Sequence, residues 1–185
     1  MSTPQTLTPQ LREFREKLVL DHFDDEVRQD WDATLSTFPH PRYELIPLGL
    51  VHDGEKEVRD YYHDTRVAFP DQHHELIQLR HSDDAVICEF YLLGTHNGPF
   101  GAIPPTGSRF KVRMTAFFIF EGERLICERV YFDQLTLMKQ LISGMDFKKP
   151  SAYLWALRAL RALPSSLSAG NKPNDKAHEI WEAHE

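Results

Sequence analysis

The 185-residue chain lacks several features that would point to particular classes of protein. It has no run of about 18 apolar residues that could cross a membrane, and no apolar stretch behind a basic start that would mark an exported protein. Its 21 Lys and Arg are outnumbered by 28 Asp and Glu, so no broad basic face is available for nucleic acid or an anionic membrane. We therefore expect a soluble protein without nucleic-acid or membrane partners.

Cysteine is scarce as well. Cys88 and Cys127 both lie inside alternating apolar runs, which is typical of buried, reduced thiols rather than of a disulfide framework or a metal site. The ten histidines are scattered and lack the spacing of a metal-binding motif. These features predict a cytoplasmic location and no bound metal.

The first 70 residues show helical periodicity. Thr8 and Pro9 are typical of an N-cap followed by a first helical residue, and apolar residues then recur at helical spacing. A second periodic set runs from Val27 to Phe38, and a third helix is predicted from Glu55 to Phe69. A short strand is predicted between the second and third helices, within RYELIPLGLVHDG.

The apolar period changes from 3.6 towards 2 after residue 72. Short turns link four runs with the alternation of strands, so consecutive strands should be antiparallel neighbours. Helices followed by strands favour an α+β domain, with the helices covering one face of a curved antiparallel sheet. The four runs are HHELIQLRH, AVICEFYLLGTH, RFKVRMTAFFIFE and RLICERVYFD.

The C-terminal part of the sequence is predicted to extend beyond the main domain. A short helix, QLTLMKQLIS, should end at Gly144, and Pro150 opens the strongly helical stretch AYLWALRALRAL. The remaining tail is typical of a linker, with a helical turn around Trp181. We therefore predict one α+β barrel domain over residues 1–147 and a C-terminal helical extension and tail over residues 148–185.

The loop GTHNGPFGAIPPTG, residues 94 to 107, is unusually rich in glycine and proline and predicts the rim of a small-molecule pocket. AFPD precedes it at residues 68 to 71, and YFDQLTLMKQL follows it after two strands. This order resembles the SnoaL-like polyketide cyclases of the nuclear-transport-factor-2-like superfamily, over about Pro41 to Leu141. The resemblance implies a cone-shaped, strongly curved sheet around a deep apolar cavity. It also implies catalysis without metal or cofactor, by one carboxylate at the position of Asp133.

Asp133 has two interpretations. It stands where a strand ends and a helix begins, so it could be an N-cap whose pKa is lowered by the first-turn amides. The family resemblance instead implies a cavity-facing general acid/base, whose pKa would be raised by desolvation. The strand alternation places Arg129, Tyr131 and Asp133 on one face and Glu128, Val130 and Phe132 on the other. If Asp133 faces inward, Tyr131 should too, and could donate a hydrogen bond to an enolate.

Further candidates for substrate contact come from the loop, the strands and the third helix. His96 could polarise a substrate carbonyl at the cavity mouth, or could simply satisfy the backbone of its own loop. His73 and His74 are adjacent in a strand, so their side chains should point to opposite faces. One of them could line the cavity, and His74 is the candidate. The aromatic residues could either line a cavity or fill an ordinary core. The aromatic candidates for substrate contact are Phe90, Phe118 and Tyr62.

The favoured hypothesis is a cofactor-independent cyclase that closes a ring by an intramolecular aldol reaction on a polycarbonyl substrate, with Asp133 as its single acid/base. An epoxide hydrolase or isomerase of the same fold would need more convergent acids. A non-catalytic module would use the cavity only to hold an apolar ligand. A homodimer is also expected, because the open face of an antiparallel sheet commonly needs a partner.

Overall fold

The computed structural model describes residues 7–101 and 103–162. In this part of the chain an α+β fold is built from five α-helices and six strands. The helices are α1 (Pro9–Arg28), α2 (Trp31–Ser36), α3 (Glu55–Ala68), α4 (Gln134–Ser143) and α5 (Pro150–Ala162). The strands are β1 (Arg42–Leu45), β2 (Leu50–Asp53), β3 (His73–His81), β4 (Ala85–Thr95), β5 (Arg109–Glu121) and β6 (Arg124–Phe132).

Helix α1 begins as predicted, with the Thr8 side chain accepting a hydrogen bond from the amide of Leu11. It ends at Gln29, which adopts a left-handed conformation with φ of 60°. Asp30 then caps the short helix α2. The periodic set from Val27 to Phe38 therefore spans the end of one helix and the start of another, and the prediction of a single second helix was wrong.

The six strands form one open sheet in the order β2-β1-β6-β5-β4-β3. All neighbouring pairs are antiparallel except β1 and β6, which run parallel. The sheet is thus mixed rather than fully antiparallel, and it does not close into a barrel. No hairpin links β1 to β6, so the rule that consecutive strands pair antiparallel does not set their direction. The predicted single strand near residue 45 is a pair, β1 and β2.

The inward face of the sheet carries the core. On β5 every second residue from Phe110 to Phe120 is buried, as a half-buried strand requires. Helix α1 packs over β3 and β4, and α3 packs against β1 and β2. The outward face carries ion pairs such as Glu89 with Arg113. Cys88 and Cys127 are free and buried, as the apolar alternation predicts.

The C-terminal part contains α5, which matches the helix predicted there. The tail from residue 163 onward, including the turn expected around Trp181, lies outside the described residues. None of the helices in the described part is both long and apolar enough to cross a membrane.

The glycine-rich loop is tied to the end of α3 by its backbone. The amides of Asn97 and Gly98 donate to the carbonyl of Ala68 at 3.0 and 3.1 Å. A Cβ atom on Gly98 would lie 1.9 Å from the Val67 carbonyl oxygen. Gly98 is therefore required because the two backbones meet there, and this contact fixes the loop against the helix.

We expect Gly98→Ala to lower the free energy of unfolding by about 2 kcal/mol or more, because the added methyl group overlaps backbone that cannot rotate away. Urea unfolding monitored by circular dichroism would measure the loss. Gly49→Asn is the matched control, since Gly49 is left-handed with open space around it and asparagine tolerates that conformation. Equal stability of Gly98→Ala and the wild type would contradict the close approach.

Candidate functional site

A cavity of about 760 Å³ lies between the sheet and the helices. Its wall combines inward residues of all six strands with residues of α1, α3 and α4. The loop predicted as a pocket rim contributes Pro99, Phe100, Gly101 and Ile103. The volume falls in the range of small-molecule sites, and the wall is mainly apolar with a few polar groups.

Two of those polar groups, Glu26 and Glu128, meet on the cavity floor and share a contact with His22. His22 and Glu26 lie one turn apart on α1, and Glu128 projects from the inward face of β6. The Nε2 atom of His22 lies 3.3 Å from Glu26 Oε1 and 3.4 Å from Glu128 Oε2. All three residues are buried, with relative exposures of 0%, 4% and 1%. Glu26 and Glu128 line the cavity, whereas His22 lies behind them.

Strand pairing fixes the position of Glu128. Its partners across the sheet are Tyr43 on the parallel neighbour β1 and Phe118 on the antiparallel neighbour β5. Side chains of paired residues lie on the same face of a sheet, so all three project inward. The His22 ring packs edge-on against Phe118 and Phe38, with centroids 5.5 and 5.6 Å away. These apolar rings exclude water from one side of the cluster.

A hydroxyl group fixes the proton on the other ring nitrogen of His22. The Thr37 hydroxyl donates to the Thr34 carbonyl oxygen at 2.7 Å and lies 3.0 Å from His22 Nδ1. Because its only hydrogen is used, Thr37 must accept from Nδ1–H. Nε2 is therefore the atom that exchanges protons with Glu26 and Glu128. The distances from Nε2 to the two carboxylate oxygens are those of ion pairs. Neither contact has the alignment of a regular hydrogen bond, because one N–H cannot point at two oxygens at once.

The contacts within the cluster shift the pKa values of its three members in different directions. Burial disfavours the charge on His22, but both carboxylates outweigh it and raise the pKa of His22 to about 10. Burial alone would raise the pKa of Glu26, yet His22 and His74 lower it to about 2. Burial and the repulsion from Glu26 raise the pKa of Glu128 to about 7, against the opposing pull of His22. One carboxyl group on the cavity floor thus titrates near neutral pH.

Other polar groups surround these carboxylates. His74 Nε2 lies 3.4 Å from Glu26 Oε2, and burial together with Arg66 and His22 lowers the pKa of His74 despite the opposing effect of Glu26. The Tyr62 hydroxyl faces Glu26, and burial with that negative charge raises its pKa well above the ordinary value. It makes no hydrogen bond of regular geometry within the described residues.

The same cluster has the composition of a metal site. One ligand atom from each of His22, Glu26 and Glu128 lies within 4.8 Å of the others. The charged His22 already neutralises one of the two carboxylates without an ion, because the proton on Nε2 lies between them. Proton sharing and metal binding therefore compete for the same three atoms.

Asp133 does not line this cavity, although its neighbours Phe132 and Gln134 do. Its carboxylate caps α4, accepting from the Thr136 amide at 3.1 Å and from the Thr136 hydroxyl. The side chain is exposed, and the hydrogen bonds from Thr136 lower the pKa of Asp133. The expectation of an inward-facing, desolvated Asp133 was wrong, and the N-cap interpretation describes the geometry.

Tyr131, like Asp133, does not line the cavity. It is 42% exposed and packs against Phe117 on the outward face. The alternation correctly separated the two faces of β6, but the choice of the inward face was reversed: Glu128, Val130 and Phe132 line the cavity.

The remaining predicted contacts divide into two groups. Tyr62, His74 and Phe90 line the cavity, so their predicted role in substrate binding is compatible with their position. His96 is buried outside the wall, 3.0 Å from the Thr106 hydroxyl through Nδ1, which agrees with its structural interpretation. Phe118 is fully buried beneath His22 and Phe23 rather than at the cavity surface.

The comparisons with other proteins identify the class that this architecture defines. The α+β fold is similar to that of solved SnoaL-like and nuclear-transport-factor-2-like proteins. The family model for SnoaL-like polyketide cyclases matches residues 17–141. The chain belongs to this family. No sequence among curated proteins matches it.

Several solved structures share the fold. A candidate SnoaL-like polyketide cyclase from Jannaschia sp. CCS1 is 23% identical with a TM-score of 0.66, over 74% of this chain and 96% of that one. A candidate polyketide cyclase from Xanthomonas campestris is 15% identical with a TM-score of 0.65, over 71% and 98%. IdmH, a candidate polyketide cyclase from Streptomyces antibioticus, is 19% identical with a TM-score of 0.60, over 69% and 97%.

The raised pKa of His22 predicts how stability depends on pH. The folded chain keeps the His22 proton up to about pH 10, whereas the unfolded chain loses it near 6.5. Its stabilising effect is complete below pH 6.5 and is lost as the pH rises towards 10. We expect the free energy of unfolding to fall by about 2 kcal/mol between about pH 7 and 8.5, measured by urea unfolding.

The exposed His63 supplies the control for this experiment. His63→Gln should keep the same decline, and His22→Gln should flatten it. A wild-type free energy of unfolding that is constant or rises over this range would contradict a charged His22 between the two carboxylates.

Proposed function

We propose that the protein is a cofactor-independent enzyme of the polyketide-cyclase type, which closes a ring by an aldol reaction within one polycarbonyl molecule. Glu128 is its proton-transferring group. The observation that carries the proposal is a buried carboxyl group at the wall of an apolar cavity, held in one cluster with a second carboxylate and an imidazole. Burial and the second carboxylate raise the pKa of Glu128. A general acid/base works best when its pKa lies near the operating pH.

The reaction needs one proton to move twice. Ionised Glu128 removes a proton from a carbon next to a carbonyl group, leaving an enolate. The enolate carbon attacks a second carbonyl of the same molecule, forming the new carbon–carbon bond. Protonated Glu128 then gives its proton to the resulting alkoxide, so the product is an isomer of the substrate. The cavity holds the substrate in a bent conformation that brings its two reacting carbons together.

Neighbouring groups tune this carboxyl group. Glu26 repels a second negative charge and so favours protonated Glu128, while the His22 imidazolium stabilises ionised Glu128. The balance keeps both states of Glu128 accessible. The Tyr62 hydroxyl lines the cavity and faces Glu26, and it would donate to the enolate oxygen in exchange for that interaction.

Asp133 is the competing candidate for this role. Its exposed position and lowered pKa make it a weaker base than Glu128, and it lies outside the cavity wall. We therefore assign proton transfer to Glu128, while the expected cytoplasmic location and homodimer stay predictions.

A second candidate reaction is the hydrolysis of an epoxide. It is favoured by the convergence of two carboxylates with separated acidities, which the single-aspartate hypothesis lacked. Protonated Glu128 would donate to the epoxide oxygen, opening the C–O bond, while ionised Glu26 orients the attacking water and accepts the proton that it releases. In that reaction the protonated form of Glu128 is required, whereas the aldol reaction requires the ionised form.

The proposal predicts the effect of Glu128→Gln on a simple diketone. The probe 1-phenylhexane-1,5-dione cyclises to 3-phenylcyclohex-2-enone with loss of water, and the product is followed by its ultraviolet absorbance. We expect Glu128→Gln to lower the catalysed rate by about 100-fold or more while circular dichroism shows a retained fold. Asp133→Asn, the matched control, should stay within about 3-fold of the wild type.

Two outcomes would contradict this assignment. Loss of activity in Asp133→Asn with full activity in Glu128→Gln would mean that Asp133, not Glu128, transfers the proton. Loss of activity on adding EDTA would mean that a metal, rather than a proton, occupies the His22, Glu26 and Glu128 cluster.

The pH dependence separates the two reactions. Diketone cyclisation should accelerate as the pH rises through about 7, because Glu128 becomes ionised. Hydrolysis of styrene oxide to its diol should slow over the same range. If neither probe turns over and both bind, the cavity belongs to a binding module and the catalytic proposal fails.

A further inference from the structure

We propose that the ligand of this cavity carries a positively charged ammonium group, and that the cavity rejects anions. The inference concerns the cavity of the proposed function and narrows its substrate class. It is argued from charge and aromatic contacts, so binding tests it without turnover.

The charged side chains in the cavity wall are mainly acidic. Glu26 and Glu128 lie on the floor, and α3 adds Glu57 and Asp64 near the opening, beside Asp60, which is paired with Lys56. Among the described residues that line the cavity there is no lysine or arginine. An anionic ligand would lose its hydration next to carboxylates without gaining a cationic partner, which is unfavourable.

The cations near the cavity are already engaged. The Arg66 guanidinium donates to the backbone carbonyl of Glu26 at 2.6 Å and to that of Gln72, and it lies over the Trp31 ring. Lys56 pairs with Asp60 at the surface, where its side chain is 86% exposed. Neither cation is directed at a ligand.

The carboxylates on the floor outnumber the cation that contacts them. Glu26 Oε1 and Glu128 Oε2 share the single imidazolium of His22, whose Nε2 lies 3.3 and 3.4 Å away. One positive charge cannot neutralise two ionised carboxylates. A cationic ligand at the cavity wall would offset the remaining negative charge.

Aromatic rings complete a site for a cation. Tyr43, Tyr61 and Tyr62 all line the cavity, with centroids 5.1, 5.8 and 5.9 Å apart. The faces of such rings attract ammonium groups, and desolvation strengthens this attraction. The carboxylates give the charge balance and the tyrosine rings give the contact surface.

The experiment compares three phenols of similar shape whose charge differs. They are 3-hydroxyphenyltrimethylammonium, 3-tert-butylphenol and 3-hydroxybenzenesulfonate, with binding measured by NMR titration of the wild-type protein. We expect the cation to bind roughly tenfold more tightly than the neutral compound, and the sulfonate to show no saturable binding. Equal or tighter binding of the neutral compound, or saturable binding of the sulfonate, would overturn the inference.

Variants at the cavity opening localise the effect. Asp64→Asn combined with Glu57→Gln should weaken binding of the cation by about 3-fold and leave the neutral phenol unchanged. Glu123→Gln, in the turn between β5 and β6 and outside the cavity wall, should change neither. Equal weakening of both compounds by the double variant would mean a change of shape rather than of charge, and would contradict the inference.

Failure here is separable from failure of the proposed reaction. If Glu128 drives diketone cyclisation but the cation has no advantage, only the ligand class is wrong. If the cation binds selectively and neither reaction probe turns over, the cavity binds ammonium compounds without the proposed chemistry.

Discussion

The structure depends on the burial of two carboxylates against one imidazole. Glu26 and Glu128 lose their hydration on the cavity floor, and a lone buried carboxylate would simply become protonated. The charged His22 lies within 3.4 Å of both carboxylates and so stabilises the ionised form of a buried carboxyl group. The remaining imbalance falls on Glu128, which is why its pKa lies near neutrality.

Several elements of the fold together position this cluster. Helix α1 places His22 and Glu26 four residues apart on one face, and Thr37 beyond α2 fixes the ring proton. The parallel pairing of β1 with β6 brings Tyr43 beside Glu128. Arg66 from α3 binds the Glu26 backbone and so holds the end of α1 against α3. The helices and the sheet are thus joined where the chemistry is proposed.

Local signals were sufficient for most of the fold. The cap at Thr8, the period change after residue 72 and the turn residues predicted α1 and four strands closely, because those features act within a few residues. The parallel neighbour of β6 could not be predicted in this way. Its direction depends on contacts between segments about 80 residues apart, for which no turn is available as a signal.

The candidate site was harder to predict than the fold. Asp133 satisfied both a family resemblance and a capping preference, and the structure shows the cap. Strand alternation correctly grouped Glu128 with Val130 and Phe132, but it cannot state which face is inward. One signal was available: His22 and Glu26 stand at helical spacing beside the buried Val19 and Phe23 on α1, where charged residues need partners. The identity of that partner, Glu128, required the three-dimensional structure.

The central claim is tested most directly by the titration of the Glu128 carboxyl carbon in carbon-13 NMR, assigned with the Glu128→Gln variant. The account predicts an inflection near pH 7, well above the ordinary glutamate value of 4.5, with a charged His22 throughout. An inflection at or below 4.5 would mean a permanently ionised carboxylate, and would contradict Glu128 as the proton-transferring group of the cavity.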